Sequence, residues 1–326
     1  MKDFYCGKKI LITGGTGTLG QFLVKRLKEY GSKIVVYSRD EGKQALVFGD
    51  DKDITKVIGD VRDLEKIKKT MKLHKPDYVI HAGALKRIDD MEIHPDECIK
   101  TNINGSENVA IASEEARVKK CILISTDKAC KPVNVYGSSK FVAERIYTNY
   151  DFNSSSTVFS SVRYGNVIGS RGSFIPMWIK LISSGKKIRV TSMECTRFLF
   201  TIEDAVTTVL KSLQLSEGGE VFIPKIKSYK MESIISAIKL LYNNNKEVDY
   251  DLIGMRPGEK FHEDMLCDTE LIFSMEASPE LICVLPQYTN RTHSYKKKYS
   301  GLEMNSSLHC NEDVLKLSEM IKRGMN

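Results

Sequence analysis

Residues 12–23 read ITGGTGTLGQFL. Gly14, Gly17 and Gly20 fall three apart, with Gly15 as an extra. They follow the apolar run KKILIT (8–13) and open a helical pattern in which Leu19, Phe22, Leu23 and Leu27 share one stripe. A glycine triplet alone marks only a turn. Between a buried strand and a helix it serves a further purpose. Without side chains the backbone lets a pyrophosphate approach, and the helix aims its free N–H groups at the charge. The segment is the phosphate end of a dinucleotide-binding fold, with Thr16, Thr18 and Leu19 expected beside the glycines.

The neighbouring pattern agrees. KIVVY (33–37), DYVIHA (77–82) and KKCILIS (119–125) are short continuous apolar runs, as in strands buried on both faces of a parallel sheet. Helical patterns lie between them, including one over 94–117 that Pro95 would start. This alternation predicts an α/β class: a Rossmann doubly wound parallel sheet with right-handed crossovers. The expected organisation is a nucleotide-binding domain over 1–165, to which a segment near 196–215 returns. A smaller mixed α/β substrate-binding lobe and C-terminal tail would occupy 166–326. There, helices are expected at 174–184, 230–242 and near 312–323, and short strands at 187–190 and 219–223. Glycine and proline concentrate at 165–176 and 254–258, as in functional loops, and 285–311 reads as a loose connection.

Composition narrows the function classes. The chain has 326 residues, 41% of them hydrophobic, enough for a sizeable core. No apolar run reaches the roughly 18 residues of a membrane helix, and no secretory signal opens the chain, so a soluble cytoplasmic protein is expected. The eight cysteines form no C-x-x-C and the six histidines no H-x-x-x-H, so neither a metal site nor a disulfide framework is expected. The net charge of +7 is spread along the chain, with one dense run at Lys296-Lys297-Lys298. That distribution argues against nucleic acid and suits an anionic small molecule.

The second strand bears on cofactor choice. It leads into Tyr37-Ser38-Arg39-Asp40, with Lys43 a turn later. A guanidinium can fork onto a 2′-phosphate, so NADP is favoured over NAD; the alternative leaves Asp40 on a ribose hydroxyl. Asp60 and Val61 are expected at the adenine. Ala82, Gly83 and Ala84 would let the cofactor lie flat, with Lys86 and Ser125 nearby.

Residues 124–140 read ISTDKACKPVNVYGSSK. Tyr-x-x-x-Lys occurs three times in the chain, as Tyr5/Lys9, Tyr136/Lys140 and Tyr242/Lys246. Only Tyr136/Lys140 follows a core strand of the nucleotide domain by a short connection. A lysine ammonium there lowers the phenol pKa, so that tyrosinate can accept a hydroxyl proton. Thr126 would hold the same hydroxyl. Asp127 and Lys128 place an acid and an amine side by side.

The glycine loop, STDKA (125–129) and YGSSK (136–140) resemble an extended short-chain dehydrogenase/reductase. With ALKRID (84–89), ECIKTNINGSENV (97–109), VRYGNVIGSRGSFIP (162–176), TRFLFTIEDA (196–205) and GMRPGEKFHEDML (254–266), most of the chain is similar to the inverting UDP-N-acetylglucosamine 4,6-dehydratases. The tail from about 285 matches least. The resemblance implies that Tyr136, with Lys140 and Thr126, removes the C4 hydroxyl proton while hydride leaves C4. It makes Lys128 the base at C5 and Asp127 the acid for the leaving C6 oxygen, where retaining relatives carry Asp-Glu. A lysine base must be neutral, so a pKa depressed by burial or cations is expected. Asn166, Val167, Arg197, Arg256 and Glu259, with Lys86, would hold the UDP-sugar. The resemblance also implies a homo-oligomer, dimer or hexamer, built on the helices at 94–117 and 136–150. A bifunctional dehydratase/5-epimerase or a C4 epimerase on the same scaffold stays open, as does a non-catalytic NADP-binding sensor.

Overall fold

In the computed structural model, residues 1–154, 156–243 and 246–325 are described. Each apolar run of the first half forms a strand: β1 (Lys9–Thr13), β2 (Lys33–Ser38), β4 (Tyr78–His81) and β5 (Lys120–Ile124). β3 (Ile54–Ile58) and β6 (Val158–Val162) complete a set with spatial order 3-2-1-4-5-6, all parallel. This is the doubly wound Rossmann order, which leaves a crevice at the carboxyl ends of β1 and β4, where the strand order reverses. Central strands are apolar throughout because helices cover both faces. On one face Leu23 and Leu27 pack with Val206, Val209 and Leu213. On the other, Ile67, Met71, Val109 and Tyr147 form the core.

The sheet continues beyond residue 165. Val221–Pro224 adds in parallel to β6, and Leu281–Val284 and Ser274–Ser278 add antiparallel beyond it. The helix Ile202–Leu215 packs on the helix Thr18–Glu29. The second lobe has its own core, where Trp178, Ile182, Ile234, Ile238, Leu317 and Ile321 meet. These come from the helices Phe174–Ser183, Met231–Tyr242 and Val314–Met325.

Two stretches differ from expectation. The helix over 94–117 is divided into Pro95–Cys98, a π-helical stretch Ile99–Asn104, and Gly105–Glu115. The wide turn carries the fully buried Asn102, whose amide donates to Leu85 O at 2.9 Å and accepts from Leu85 N at 2.8 Å. A local π-helical turn at a functional loop is a recurrent use of that geometry. Residues 285–311 are a strap rather than a loose connection. Arg291 Nε lies 3.0 Å from both carboxylate oxygens of Asp151, and the Tyr295 phenol donates to Leu215 O at 2.9 Å. The strap is held by polar groups, which leave no hydrophobic period to read. Among the described residues no helix is long and apolar enough to cross a membrane.

Candidate active site

The glycine loop is shaped by contact. Gly14 has φ +68°, and a Cβ there would lie 2.7 Å from Ala82 O. A Cβ on Gly20 would lie 2.5 Å from Gly15 Cα. The loop, the helix behind it and the end of β4 therefore meet backbone to backbone, a cradle that side chains would fill. The helix Thr18–Glu29 starts at Gly17 with no side-chain cap, leaving its first N–H groups for an anion. Thr16 is buried and Leu19 half-buried at this entrance, and Thr18 Oγ1 accepts Arg171 N at 3.0 Å. Behind it Thr13 Oγ1 lies 2.6 Å from His81 Nδ1 and accepts Gly83 N at 3.2 Å, fixing Ala82-Gly83-Ala84 against β1. Burial, with Lys140 adding to it, lowers the His81 pKa to about 3, so the ring is neutral.

At the far end of the crevice the expected residues divide. Ser38 is buried and its hydroxyl accepts Gln44 Nε2 at 2.8 Å. Asp40 caps the helix Glu41–Phe48, accepting Lys43 N at 2.9 Å, with Lys43 Nζ at 3.3 Å. The Lys43 backbone bond and then its ammonium hold the Asp40 carboxyl below its ordinary range. Arg39 is 57% exposed and its pairing with Asp60 is loose, at 3.9 Å, so its guanidinium is available. Asp60 is gripped by Arg62 at 2.8 Å, and the buried Val61 offers its carbonyl to Asn108 Nδ2 at 2.9 Å.

The residues of 125–140 converge. Ser125 N donates to Val162 O at 2.8 Å and Asp127 N to Tyr164 O at 3.0 Å, which seats the turn beside β6. The turn Asp127–Ala129 then meets the helix Val135–Asn153. Gly137 makes that contact possible, because a Cβ there would be 2.3 Å from Lys128 O. Asn134 caps the helix through Gly137 N at 2.6 Å and donates to Gly258 O at 2.7 Å, tying it to the RPGEK loop. Asp127 Oδ1 receives Thr126 Oγ1 at 2.8 Å and Lys128 Nζ at 2.9 Å.

The electrostatics of Lys128 depart from expectation. Burial alone would lower its pKa, but Asp127 and Glu263 outweigh burial, and its pKa is pushed above the ordinary value. Glu263 Oε1 lies 3.2 Å from Lys128 Nζ. The lysine is an ammonium clasped by two carboxylates rather than an amine depressed by cations. Burial raises the Glu263 carboxyl, against the pull of Lys128. Asp127 Oδ2 and Glu263 Oε2 are buried without a hydrogen-bond partner. Tyr136 also departs from expectation. Burial pushes its phenol up to about 12 against the pull of Lys128 and Thr126, in place of the lowering expected from Lys140. Burial brings Lys140 itself down to about 8.

The remaining expected residues stand at the second lobe's edge. Asn166 and Val167 form a short strand beside Leu199 and Phe200, and Asn166 Oδ1 is buried without a partner. Arg197 is 5% exposed; it donates to Glu259 at 2.8 Å and to the carbonyls of Thr196 and Phe261. Glu259 also receives the half-exposed Arg256 at 3.1 Å. Lys86 reaches Arg171 O at 3.3 Å, and burial and Arg171 lower its pKa.

Sequence reasoning assigned no role to Asn102, Glu144, Arg163 or Glu263. Arg163 is fully buried and forks onto Glu144 (2.7 Å) and Glu270 (2.8 Å), while Ser125 Oγ also donates to Glu144. The available signal was the placement of Glu263 inside the block GMRPGEKFHEDML and of Arg163 as the second residue of VRYGNV.

A parallel 3-2-1-4-5-6 sheet, a glycine loop and a Tyr-Lys helix define an extended short-chain dehydrogenase/reductase. The chain belongs to the family described as "Polysaccharide biosynthesis protein", matched over residues 10–283. It is 44% identical over 280 residues to the UDP-N-acetylglucosamine 4,6-dehydratase (inverting) of Campylobacter jejuni, covering 83% of this chain and 81% of that one. It is also 36% identical to the UDP-glucose 4-epimerase of Rickettsia rickettsii, covering 82% and 80%. The X-ray structure of Pen from Bacillus thuringiensis superposes with a TM-score of 0.90 at 31% identity, covering 98% of both chains. The fold is shared with the dTDP-glucose 4,6-dehydratase of Streptomyces venezuelae, solved with NAD, at a TM-score of 0.69 and 17% identity over 78% and 82% of the chains.

Proposed function

We propose that this chain is an NADP-dependent, C5-inverting UDP-N-acetylglucosamine 4,6-dehydratase, giving a UDP-4-keto-6-deoxy-L-hexosamine. One observation carries the reading: Asp127, Lys128 and Glu263 form a buried charge cluster beside Tyr136. A simple epimerase needs the Tyr-Lys pair but no elimination pair. A sensor needs neither.

The glycine loop and Arg39 would hold NADP, which would supply the hydride acceptor for C4 and the hydride donor for C6. Tyr136 must give up its own proton before it takes the one on the C4 hydroxyl. Lys128 and Thr126 ease that loss against burial, and Thr126 and Lys140 assist the transfer. Elimination then needs a neutral amine and a protonated carboxyl at once. The clasped ammonium can supply both. Moving one proton across the 2.9 Å between Lys128 Nζ and Asp127 Oδ1 turns the ion pair into amine and acid. Substrate that displaces the remaining water would shift the balance towards the neutral pair, against the pull of Glu263 that keeps Lys128 charged in the free protein. Lys128 removes the C5 proton, Asp127 protonates the departing C6 oxygen, and the ion pair is restored as water leaves. Once hydride reaches C6, C5 takes a solvent-derived proton on its opposite face, which gives the L-configured sugar.

The cofactor preference rests on the exposed Arg39, only loosely paired with Asp60 at 3.9 Å, and on Asp40 being committed to its helix cap. Asn166, Val167, Arg197, Arg256, Glu259 and Lys86 hold the UDP-sugar. Ile99, Phe141 and Val142 are exposed on the helices expected to pair, which supports a homo-oligomer. We take the protein to be cytoplasmic and a dimer or hexamer.

The test is incubation with UDP-N-acetylglucosamine in D₂O, followed by NMR. Loss of the C6 hydroxyl with deuterium at C5 and an L-configured coupling pattern is expected. Inversion at C4 alone would replace this reading with an epimerase, and no turnover of any UDP-hexose would leave a binding protein.

A further inference from the structure

We propose that Cys130 and Cys267 form a dithiol site that a small hydroperoxide oxidises to an intramolecular disulfide. The bond would pin the catalytic turn to the segment that carries Glu263. Their sulfurs and a Glu270 carboxylate oxygen all lie within 4.8 Å of one another, although the thiols come from distant parts of the sequence. Cys130 directly follows the turn Asp127–Ala129. Cys267 directly follows the strand Asp264–Leu266. Lys260 already bridges these segments, with Nζ 2.7 Å from Cys130 O and 3.2 Å from Asp264 Oδ2. Both thiols are buried, and all eight cysteines are free.

Two thiols and a carboxylate also suit a soft metal, but here the carboxylate is taken. Arg163 donates to both Glu270 oxygens at 2.8 Å, so a cation would face a guanidinium. A sulfur–sulfur bond adds no charge. The two thiols also differ in character. A hydrogen bond shared with Cys130 brings the Cys267 thiol down to about 6 despite burial, while the Cys130 thiol is raised. Cys267 is the attacking thiolate.

The step balances. The Cys267 thiolate attacks one oxygen of hydrogen peroxide, breaking the O–O bond and giving a sulfenic acid and hydroxide. The Cys130 sulfur then attacks the Cys267 sulfur and displaces the second hydroxide. The Cys130 thiol proton joins that second hydroxide as water, and the first hydroxide takes up from solvent the proton that the Cys267 thiol released on ionising, so two waters form. Two electrons pass from the sulfurs to the peroxide oxygens. The sulfurs must close to about 2.05 Å, which drags the catalytic turn with them.

The experiment treats the purified full-length protein with hydrogen peroxide, alkylates under denaturing conditions and maps peptides by mass spectrometry. A linked Cys130–Cys267 peptide, lighter by two hydrogens and reversed by dithiothreitol, is expected; this readout needs no turnover. Turnover should fall about 10²-fold and recover on reduction. Cys130→Ser and Cys267→Ser should keep the reduced activity and lose the response to peroxide. Complete alkylation of both cysteines after peroxide overturns the proposal, as does about one equivalent of zinc in the protein as purified. If either variant fails to fold, the wild-type peptide map still decides.

Discussion

Lys128 Nζ lies 3.2 Å from Glu263 Oε1, joining the turn Asp127–Ala129 to a segment far along the chain. Glu263 is 2% exposed, and with Asp127 it keeps Lys128 charged. Glu263→Gln keeps the shape and removes the charge. Lys128 would then lose its proton at lower pH, because one of the two anions raising its pKa is gone. We expect kcat to fall about 10²-fold and the Lys128-dependent limb of the pH–rate profile to move to lower pH. A variant with unchanged kcat and profile would remove Glu263 from the reaction.

Lys128→Ala separates the two halves of the reaction. Tyr136, Thr126 and Lys140 remain, so C4 oxidation should survive and reduced nicotinamide should accumulate when UDP-N-acetylglucosamine is added. Water loss should slow by 10² or more, on the order of a general base's contribution. Nicotinamide absorbance and NMR of the sugar read the two steps separately. Wild-type dehydration in this variant would falsify the role of Lys128.

Those variants concern residues of unequal legibility. The strands β1, β2, β4 and β5 are continuous apolar runs because both faces of a parallel sheet are covered, so the sequence shows them directly. Tyr136 and Lys140 are also legible, since four-residue spacing puts them on one helix face. Glu263 is not, because its partner lies in another lobe and no local period records a tertiary ion pair. The charge state of Lys128 fails for the same reason. From sequence, burial is the natural influence to invoke, whereas the fold adds two anions that reverse its sign. Arg163 looks like any surface arginine until Glu144 and Glu270 are seen around it. The π-helical stretch at Ile99–Asn104 is hidden because Asn102 is fixed by Leu85, not by its helix neighbours.

Burial of Lys140 predicts a trade between stability and activity. Its pKa falls from the usual 10.5 to about 8 in the fold. Below pH 8 both folded and unfolded chains carry the proton, so folding bears the full cost of a buried charge, about 3 kcal/mol by linkage. Between about 8 and 10.5 the folded protein sheds the proton first, and the cost disappears as pH rises. Lys140→Met should therefore raise the thermal midpoint of the cofactor-free protein at neutral pH, by several degrees for a chain this size. The gain should vanish above pH 10.5, and turnover should be lost at every pH. A variant less stable than wild type at pH 7 would show that Lys140 is held by favourable contacts that outweigh its burial.

The cofactor reading predicts a separation between two adjacent residues. Arg39 is exposed and weakly engaged, whereas Asp40 is committed to the helix Glu41–Phe48. If Arg39 forks onto a 2′-phosphate, Arg39→Ala removes a charge-assisted bond of about 1.5–3 kcal/mol, roughly 10- to 100-fold in NADP affinity. NAD has no such phosphate, so its affinity should not change. Asp40→Ala should instead lower the thermal midpoint through the lost helix cap, with little effect on the NADP/NAD ratio. Titration calorimetry with both dinucleotides, alongside thermal unfolding, distinguishes the two. Loss of NAD binding in Asp40→Ala, with NADP unaffected by Arg39→Ala, would reverse the assignment and put a ribose hydroxyl on Asp40.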